Sequence, residues 1–173
     1  ADQICVLHNG VSLQQDAPDV LFRRPLSPLV ARLLDRHNLF EGVVVDEEGK
    51  RRLRWGENYL EVAEGLDNLT LGETVTWYLP PSDIVLHRRG RPSHGERENP
   101  VVATVSELVV LGGITSVSLS VNHGDMLRFD IATHAARRNQ LTSGAVVKVS
   151  LLAAGIYLLP GHQIRADAHD KRK

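Results

Sequence analysis

The residues best suited to chemistry lie between the two halves of the chain, in the polar segment 87–99, HRRGRPSHGEREN. Ser93 offers a hydroxyl, Arg97 a guanidinium and Asn99 a carboxamide, while glycines let backbone N–H groups approach a ligand. Donors of this kind bind small oxyanions. Two glutamates in the same segment would repel an anion, and a plain polar linker has a similar composition. The segment therefore fits either an anion site or a linker.

Two basic residues further along the chain extend the candidate anion site. Arg137 belongs to the basic side of a short helix predicted over 133–141, and Lys148 belongs to the strand that follows. A solvated face of an amphipathic helix is the alternative explanation for Arg137. The candidate oxyanion ligands are thus Ser93, Arg97, Asn99, Arg137 and Lys148.

No pattern in the sequence indicates catalysis. The eight histidines form no H-x-x-x-H pair and the single cysteine stands alone, so no metal site is predicted. The sequence contains neither a G-x-x-x-x-G-K-[ST] phosphate loop nor a G-x-S-x-G nucleophile elbow. We therefore predict no catalytic residue, no metal and no cofactor in this chain, which should not hydrolyse ATP.

The charge balance limits the partners. Twenty basic residues against twenty-one acidic ones leave a formal charge of −1, which does not provide the positive field of non-specific nucleic-acid binding. No apolar run approaches the roughly 20 residues that span a bilayer. Cys5 has no partner for an internal disulfide. We expect a protein of a reducing compartment that does not bind nucleic acid.

A duplicated segment organises the chain. Residues 72–87 (GETVTWYLPPSDIVLH) and 144–159 (GAVVKVSLLAAGIYLL) align without a gap, so that the turn glycine and the alternating apolar positions coincide. The copies start at Asn38 and Asn99, which are only 61 positions apart, so the second copy carries extra residues in its middle. Longer strands and the predicted helix over 133–141 would contain them. The duplication predicts two similar structural units.

Alternating apolar and polar residues predict five short strands in each copy. The predicted strands are 39–46, 51–55, 58–63, 73–79 and 83–87 in the first copy, and 101–110, 114–121, 125–132, 145–151 and 155–159 in the second. Five strands per copy suggest a small OB-like barrel. Trp55, Trp77 and Tyr78 are expected to pack in the core or at an interface rather than stack on a ligand. The predicted fold class is mainly β, with tandem five-stranded OB-like barrels.

The first 36 residues form a mixed α/β segment. Asn9-Gly10 predicts a tight hairpin between two short strands. Pro18 suits the first position of a short helix, and Ser27-Pro28 suits the cap and first turn of a second helix. The apolar face of this second helix, which is expected to pack, consists of Leu29, Val30, Leu33 and Leu34.

The opening residues resemble a known protein family. The stretch ADQICVLHNGVSLQQDAPDVLFRRPLSPLVARLL is similar to the end of the ATPase core in the ATP-binding subunits of ABC importers. There, a strand of the type A-D-x-I-x-V-L-x-x-G precedes P-x-x-[VL]-[FY]-x-x-P and a capping helix. In that family the histidine that senses the γ-phosphate comes shortly before this strand. The resemblance implies that the chain is a fragment that begins just beyond the catalytic part.

Residues 38–160 resemble the tandem OB-like (MOP-like) repeats that follow the ATPase core in such subunits, called the transport-associated or molybdate-binding-like domain. The similarity is carried by PPSDIVLH at 80–87, EREN at 96–99 and THAARRNQLTSG at 133–144. Oxyanion-binding relatives read closer to S-A-R-N where this chain has EREN. Arg97 and Asn99 are therefore the residues to compare with that motif.

The resemblance implies a regulatory and dimerisation domain of an ABC importer ATP-binding subunit, of the molybdate or tungstate type. Such a domain would form a homodimer through its OB-like repeats and contact permease subunits through the full-length protein, on the cytoplasmic side of the membrane. ATP and Mg²⁺ would belong to the missing core. An oxyanion-sensing module and a regulatory domain of a sugar or other solute importer are the alternatives. The implied regions are the end of the ATPase core (1–36), the first repeat (37–90), the second repeat (91–160) and a polar tail (161–173).

Overall fold

The computed structural model of the protein describes residues 2–34, 37–88, 97–122 and 124–159, and in these ranges the chain is mainly β. The strands are β1 (Ile4–His8), β2 (Val11–Asp16), β3 (Leu39–Glu47), β4 (Lys50–Trp55), β5 (Asn58–Leu60), β6 (Thr74–Tyr78), β7 (Ile84–Leu86), β8 (Glu98–Leu111), β9 (Ile114–Val121), β10 (Asp125–Ala132), β11 (Val146–Leu152) and β12 (Tyr157–Leu158). The α-helices are α1 (Pro18–Arg23), α2 (Pro28–Leu33) and α3 (Thr133–Arg138). The predicted fold class is confirmed.

The N-terminal segment folds as predicted around its hairpin and two helices. Asn9 and Gly10 take positive φ angles of 48° and 78°, as the tight turn between β1 and β2 requires. The Ser27 hydroxyl caps α2 by accepting a hydrogen bond from the Val30 N–H at 3.2 Å. These elements enclose a small core whose buried members are Val6, Leu21 and Val30.

The predicted packing face of α2 is only partly correct. Val30 is buried and Leu34 packs against the small core, but Leu29 and Leu33 are 40% and 46% exposed. Ala31 is buried in their place. The helix is only six residues long, so a small rotation moves the buried stripe by one position.

Two five-stranded sheets form the rest of the structure, and the repeats exchange their last strands. One sheet has the order β12-β6-β3-β4-β5 and the other has the order β10-β9-β8-β11-β7. The first repeat thus supplies β7 to the second sheet, where Leu86 pairs with Val149. The second repeat supplies β12 to the first sheet, where Leu158 pairs with Trp77. The boundary predicted at residue 90 divides the sequence into two repeats, but each sheet contains strands from both of them.

The duplicated segment has the same local structure in both copies. Gly72 and Gly144 take φ angles of 85° and 84°. Their N–H groups donate to the carbonyls of Val44 and Val105 at 2.8 and 2.7 Å, so each glycine closes the same loop onto β3 or β8. Positive φ favours glycine at both positions because a side chain would be strained there.

The second copy holds its extra residues in the elements that the sequence predicted. Strand β8 has fourteen residues, whereas its counterpart β3 has nine. Helix α3 follows β10, and the Thr133 hydroxyl donates to the Gly112 carbonyl at 3.0 Å, which ties the helix to the β8–β9 turn. The predicted tail 161–173 lies outside the described residues.

One continuous apolar core fills the space between the two sheets. At its centre Phe40, Trp55 and Trp77 pack with ring centroids 4.8 to 5.2 Å apart. Both tryptophans belong to this core, and Tyr78 is buried with its hydroxyl donating to the Phe22 carbonyl at 3.4 Å. The prediction that these rings pack in the core or at an interface is confirmed. Within the described ranges, no helix is long and apolar enough to span a bilayer.

Candidate functional site

The predicted anion ligands occupy several elements. Ser93 lies outside the described residues. The structure places Arg97 and Asn99 around the start of β8, Arg137 in α3 and Lys148 in β11.

The pairing of β8 with β11 separates Asn99 from Lys148. Asn99 lies opposite Leu151, and Lys148 lies opposite Val102. Side chains of a strand alternate between its two faces. Asn99 and Leu151 are buried, whereas Lys148 and Val102 are exposed. The two side chains therefore belong to opposite faces of the sheet, and one small anion does not reach both.

Asn99 holds the two repeats together through its carboxamide. Its Oδ1 accepts from the Glu61 N–H at 2.7 Å, and its Nδ2 donates to the carbonyls of Glu61 and Leu151 at 2.9 and 3.0 Å. Both amide hydrogens and one oxygen lone pair are thus used by the backbone. Asn99 is 6% exposed, so it acts as a buried clamp between β8 and the end of β5.

Asn38, in the first repeat, makes the equivalent contact with the second repeat. Its Nδ2 donates to the Arg128 carbonyl at 2.8 Å and its Oδ1 accepts from the Arg128 N–H at 2.7 Å. Asn38 of the first repeat therefore binds β10 of the second, just as Asn99 of the second repeat binds the first. The shared position of the two asparagines, 61 residues apart, was visible in the sequence, but their partners were not.

Arg97 belongs to a compensated charge cluster, the Glu61 cluster, formed by Arg52, Glu61 and Arg97. Glu61 Oε2 lies 2.9 Å from Arg52 Nη1, and Glu61 Oε1 lies 3.8 Å from Arg97 Nε. The hydrogen bond from Arg52, together with the positive charges of Arg52 and Arg97, lowers the pKa of Glu61. Arg97 has a positive φ of 61°, and its side chain is 69% exposed. A carboxylate of the protein itself thus lies between the two guanidinium groups.

A buried serine joins the two ends of the polar segment. Ser150 Oγ lies 2.6 Å from His87 Nε2 and donates to Glu98 Oε2 at 2.9 Å. Because the serine hydrogen points to Glu98, His87 must donate to the serine oxygen. This polarity is opposite to that of a hydrolase, in which the histidine accepts the serine proton. The arrangement fastens the end of β7 to the start of β8.

A cavity of about 570 Å³ is lined in part by His87. Its described lining consists of residues 86–88, 139–142 and 145–148, and we call it the Lys148 cavity. Lys148 and Arg88 line it, and the described lining includes no aspartate or glutamate. Of the four predicted ligands that the structure describes, only Lys148 lines this cavity, and Arg88 was not among the predicted ligands. No sequence pattern indicated the cavity, because it forms where β7, which comes from the first repeat, meets the turn after α3.

The structure contains a second close contact between the repeats, at Asp83 and Gly155, which occupy matching positions of the duplicated segment. A Cβ atom on Gly155 would collide with the Asp83 carboxylate. Burial raises the pKa of Asp83, and the charge of Arg23 offsets part of this rise. In the described part of the chain, no group of three histidine, cysteine, aspartate or glutamate side chains is arranged to hold a metal ion.

The sequence relatives are import ATP-binding proteins. The chain is 27% identical over 163 residues to the sulfate/thiosulfate import ATP-binding protein CysA 2 of Chromobacterium violaceum, covering 93% of the chain and 42% of the relative. It is also 27% identical over 160 residues to the Fe(3+) ions import ATP-binding protein FbpC 2 of Rhizobium meliloti, covering 87% of the chain and 39% of the relative. The chain thus spans about two fifths of the length of these relatives. No protein-family model matches it.

The fold is similar to that of a solved molybdate-binding protein. The crystal structure of the cytoplasmic molybdate-binding protein ModG, with molybdate bound, superposes with a TM-score of 0.60 and 21% identity. The similarity covers 72% of this chain and 97% of ModG. The resemblance predicted from the sequence is confirmed: the relatives are ATP-binding subunits of ABC importers, and the fold is similar to that of ModG.

Proposed function

We propose that this chain is the regulatory and dimerisation domain of the ATP-binding subunit of an ABC importer. The observation that carries the proposal is the extent of the similarity to such subunits, which runs through 93% of the chain and so includes the N-terminal segment and both repeats. The full-length protein would hydrolyse ATP with a core that this chain does not contain. It would contact permease subunits on the cytoplasmic side of the membrane.

The interlocked repeats suit a regulatory role. Each sheet contains a strand of the other repeat, and Asn38 and Asn99 clamp the repeats in both directions. The domain would therefore move as one body, and a ligand or partner that binds one arrangement of two such bodies more tightly would shift the equilibrium toward it. Regulation needs only this difference in affinity.

Sedimentation equilibrium of the full chain tests the dimerisation. The 19.1 kDa chain should sediment with about twice its mass at concentrations near 100 µM. A single 19.1 kDa species at that concentration would refute self-association.

A second candidate function is oxyanion sensing at the Glu61 cluster. Its support is the position of the Glu61 carboxylate, which lies between two guanidinium groups as a bound oxyanion would. Molybdate, tungstate or sulfate would have to displace this carboxylate. Arg97 would then contact the anion directly, while Asn99 would hold the strand beneath it. Ser93 lies outside the described residues and stays a predicted contact. Arg137 belongs to α3, which is tied to the opposite end of β8, so it would not reach this anion.

Calorimetry with molybdate, tungstate and sulfate tests the second candidate. The Glu61→Gln variant should bind one of these anions at least tenfold more tightly than the wild type, because the competing charge is removed. Glu64→Gln, a change of an exposed glutamate outside the cluster, is the matched control and should leave the affinity unchanged. If neither the wild type nor Glu61→Gln gives heat at millimolar anion, only the regulatory and dimerisation role is retained.

A further inference from the structure

The Lys148 cavity combines the two features of a site for an organic anion: uncompensated positive charge and an apolar floor. Its volume of about 570 Å³ lies within the range of about 300–1,000 Å³ typical of small-molecule sites. A bare tetrahedral oxyanion would fill only a small part of it. The residues that line the cavity therefore indicate which kind of ligand group would occupy the remaining volume.

The positive charges of the cavity have no carboxylate partner in the described ranges of the chain. Among the described residues, neither the Lys148 ammonium nor the Arg88 guanidinium forms an ion pair, and both side chains are exposed. The backbone N–H of His87 donates to the Lys148 carbonyl at 3.0 Å, which continues the pairing of β7 with β11 and places Lys148 opposite His87 and Val147 opposite Arg88. The two cations therefore flank the strand pair from its two faces. Arg97, in contrast, lies next to Glu61. An incoming anion at the Lys148 cavity would displace no internal partner.

The floor of the cavity is an extension of the main core. Leu86, Leu141, Ala145 and Val147 line it, and each is partly buried and packed against the core. Val146, at the rim, is 70% exposed. Covering such apolar surface stabilises a complex by about 25 cal/mol per Å². An apolar ligand body would therefore add to the affinity that the positive charge of the cavity provides.

We infer that the Lys148 cavity binds a small organic anion, with one carboxylate or phosphate group at Lys148, which Arg88 flanks from the other face of the strand pair, and a compact apolar body on the floor. The walls come from both repeats, since residues 86–88 include the end of the exchanged strand β7 and residues 145–148 belong to the second repeat. The ligand would thus bridge the repeats. This inference does not depend on the proposed transporter role or on oxyanion binding at the Glu61 cluster.

Titration of the isotope-labelled full chain, followed by amide NMR, tests the inference. The probes are 4-phenylbutyrate and phenyl phosphate, with 4-phenylbutanol and inorganic phosphate as the controls that lack the charge or the apolar body. One or both organic anions should give saturable shifts at residues 86–88, 139–142 and 145–148 below about 5 mM, and the preferred probe identifies the head group. The two controls should bind at least tenfold more weakly.

Two conservative variants test the assigned roles. Lys148→Gln should weaken binding of the preferred anion at least tenfold, since a charge-assisted hydrogen bond is lost. Val146→Thr, which keeps a β-branched residue at an exposed strand position, should weaken it severalfold. Lys50→Gln, a change of an exposed lysine in β4, is the matched control and should bind as the wild type does.

Three results would overturn the inference. The first is the absence of saturable shifts at these residues with either organic anion. The second is equal binding of 4-phenylbutanol, which would show an apolar site without a role for charge. The third is unchanged affinity in a Lys148→Gln variant whose amide spectrum shows that it is folded.

Discussion

The Glu61 cluster and the Lys148 cavity contain the same kinds of basic side chain but differ in what surrounds them. In the cluster, Arg52 and Arg97 both approach one carboxylate. In the cavity, Arg88 and Lys148 belong to a lining whose described residues include no aspartate or glutamate. The first region is therefore electrostatically complete, whereas the second retains positive charge available to a ligand. A group of neighbouring basic residues forms an anion site only where carboxylates of the protein do not already pair with them.

The two regions also differ in what their polar side chains contact. Around the cluster, the Asn99 carboxamide is engaged by the backbone of Glu61 and Leu151. Around the cavity, polar side chains surround an apolar floor that is continuous with the core. We conclude that the start of β8 mainly joins the repeats, and that the cavity is the better-suited place for an organic ligand.

The largest expected effect is on the clamp. Asn99→Ala should lower the free energy of unfolding by about 2–4 kcal/mol, because it leaves the Glu61 N–H and two carbonyls without partners in a buried place. Asn38→Ala, which removes two such bonds, should cost about 1–3 kcal/mol. Urea unfolding measures both, with the exposed Asn68→Ala as the control that should cost less than about 0.5 kcal/mol. An Asn99→Ala loss as small as that of the control would contradict the clamp.

A second substitution disturbs the contact between the repeats at Asp83 and Gly155, outside the Glu61 cluster and the Lys148 cavity. Gly155→Ala would place a methyl group on the Asp83 carboxylate and should destabilise the protein by about 1–3 kcal/mol. Gly113→Ala is the matched control, since no atom lies within 4 Å of its added Cβ. Thermal unfolding of the two variants should differ clearly. Equal melting temperatures would show that Asp83 moves aside for the added methyl group without loss of stability.

The difference in charge compensation should appear directly in stability. Arg52→Gln should cost about 1 kcal/mol at pH 7, because Glu61 loses its hydrogen-bond donor. Lys148→Gln should be neutral within about 0.5 kcal/mol, because no described carboxylate pairs with it. Urea unfolding at low and high salt measures both changes. A loss in Lys148→Gln equal to that in Arg52→Gln would remove the distinction between the two regions.

The smallest expected effect is a pH dependence that is confined to the cluster. The pKa of Glu61 is lowered in the folded protein from its ordinary value of 4.5, so its ionised form stabilises the fold above that pH. This contribution should be lost as the pH falls through the lowered pKa. Glu61→Gln should therefore flatten the acid limb of a stability–pH curve, measured by urea unfolding. A wild-type and a variant curve of the same slope below pH 4.5 would contradict the assignment.

Much of the fold could be predicted because its signals are local. Asn9-Gly10 selects its turn by backbone conformation, and the apolar alternation in 114–121 reports a half-buried strand. The strand exchange could not be predicted, because the short β7 and β12 satisfy their apolar pattern in either sheet. The choice between sheets depends on contacts between residues far apart in the sequence, such as Leu86 with Val149.

The candidate site was harder to predict than the fold for the same physical reason. The sequence supplied Arg97 and Lys148 as basic residues, but their meaning depends on distant neighbours. Glu61, which compensates Arg97, comes from the other repeat, and the floor around Lys148 includes Leu86 from that repeat. The net charge and the apolar surface of a site depend on residues that the fold brings together from both repeats, and composition alone does not specify which residues these are.

We infer that uncompensated charge, rather than basic residues as such, marks the ligand site. The decisive measurement is a calorimetric titration of the wild type, Arg97→Gln and Lys148→Gln with the organic anion that binds more tightly in the NMR titration. Lys148→Gln should lose at least tenfold in affinity, while Arg97→Gln should bind as the wild type does. An affinity loss in Arg97→Gln with none in Lys148→Gln would contradict the claim.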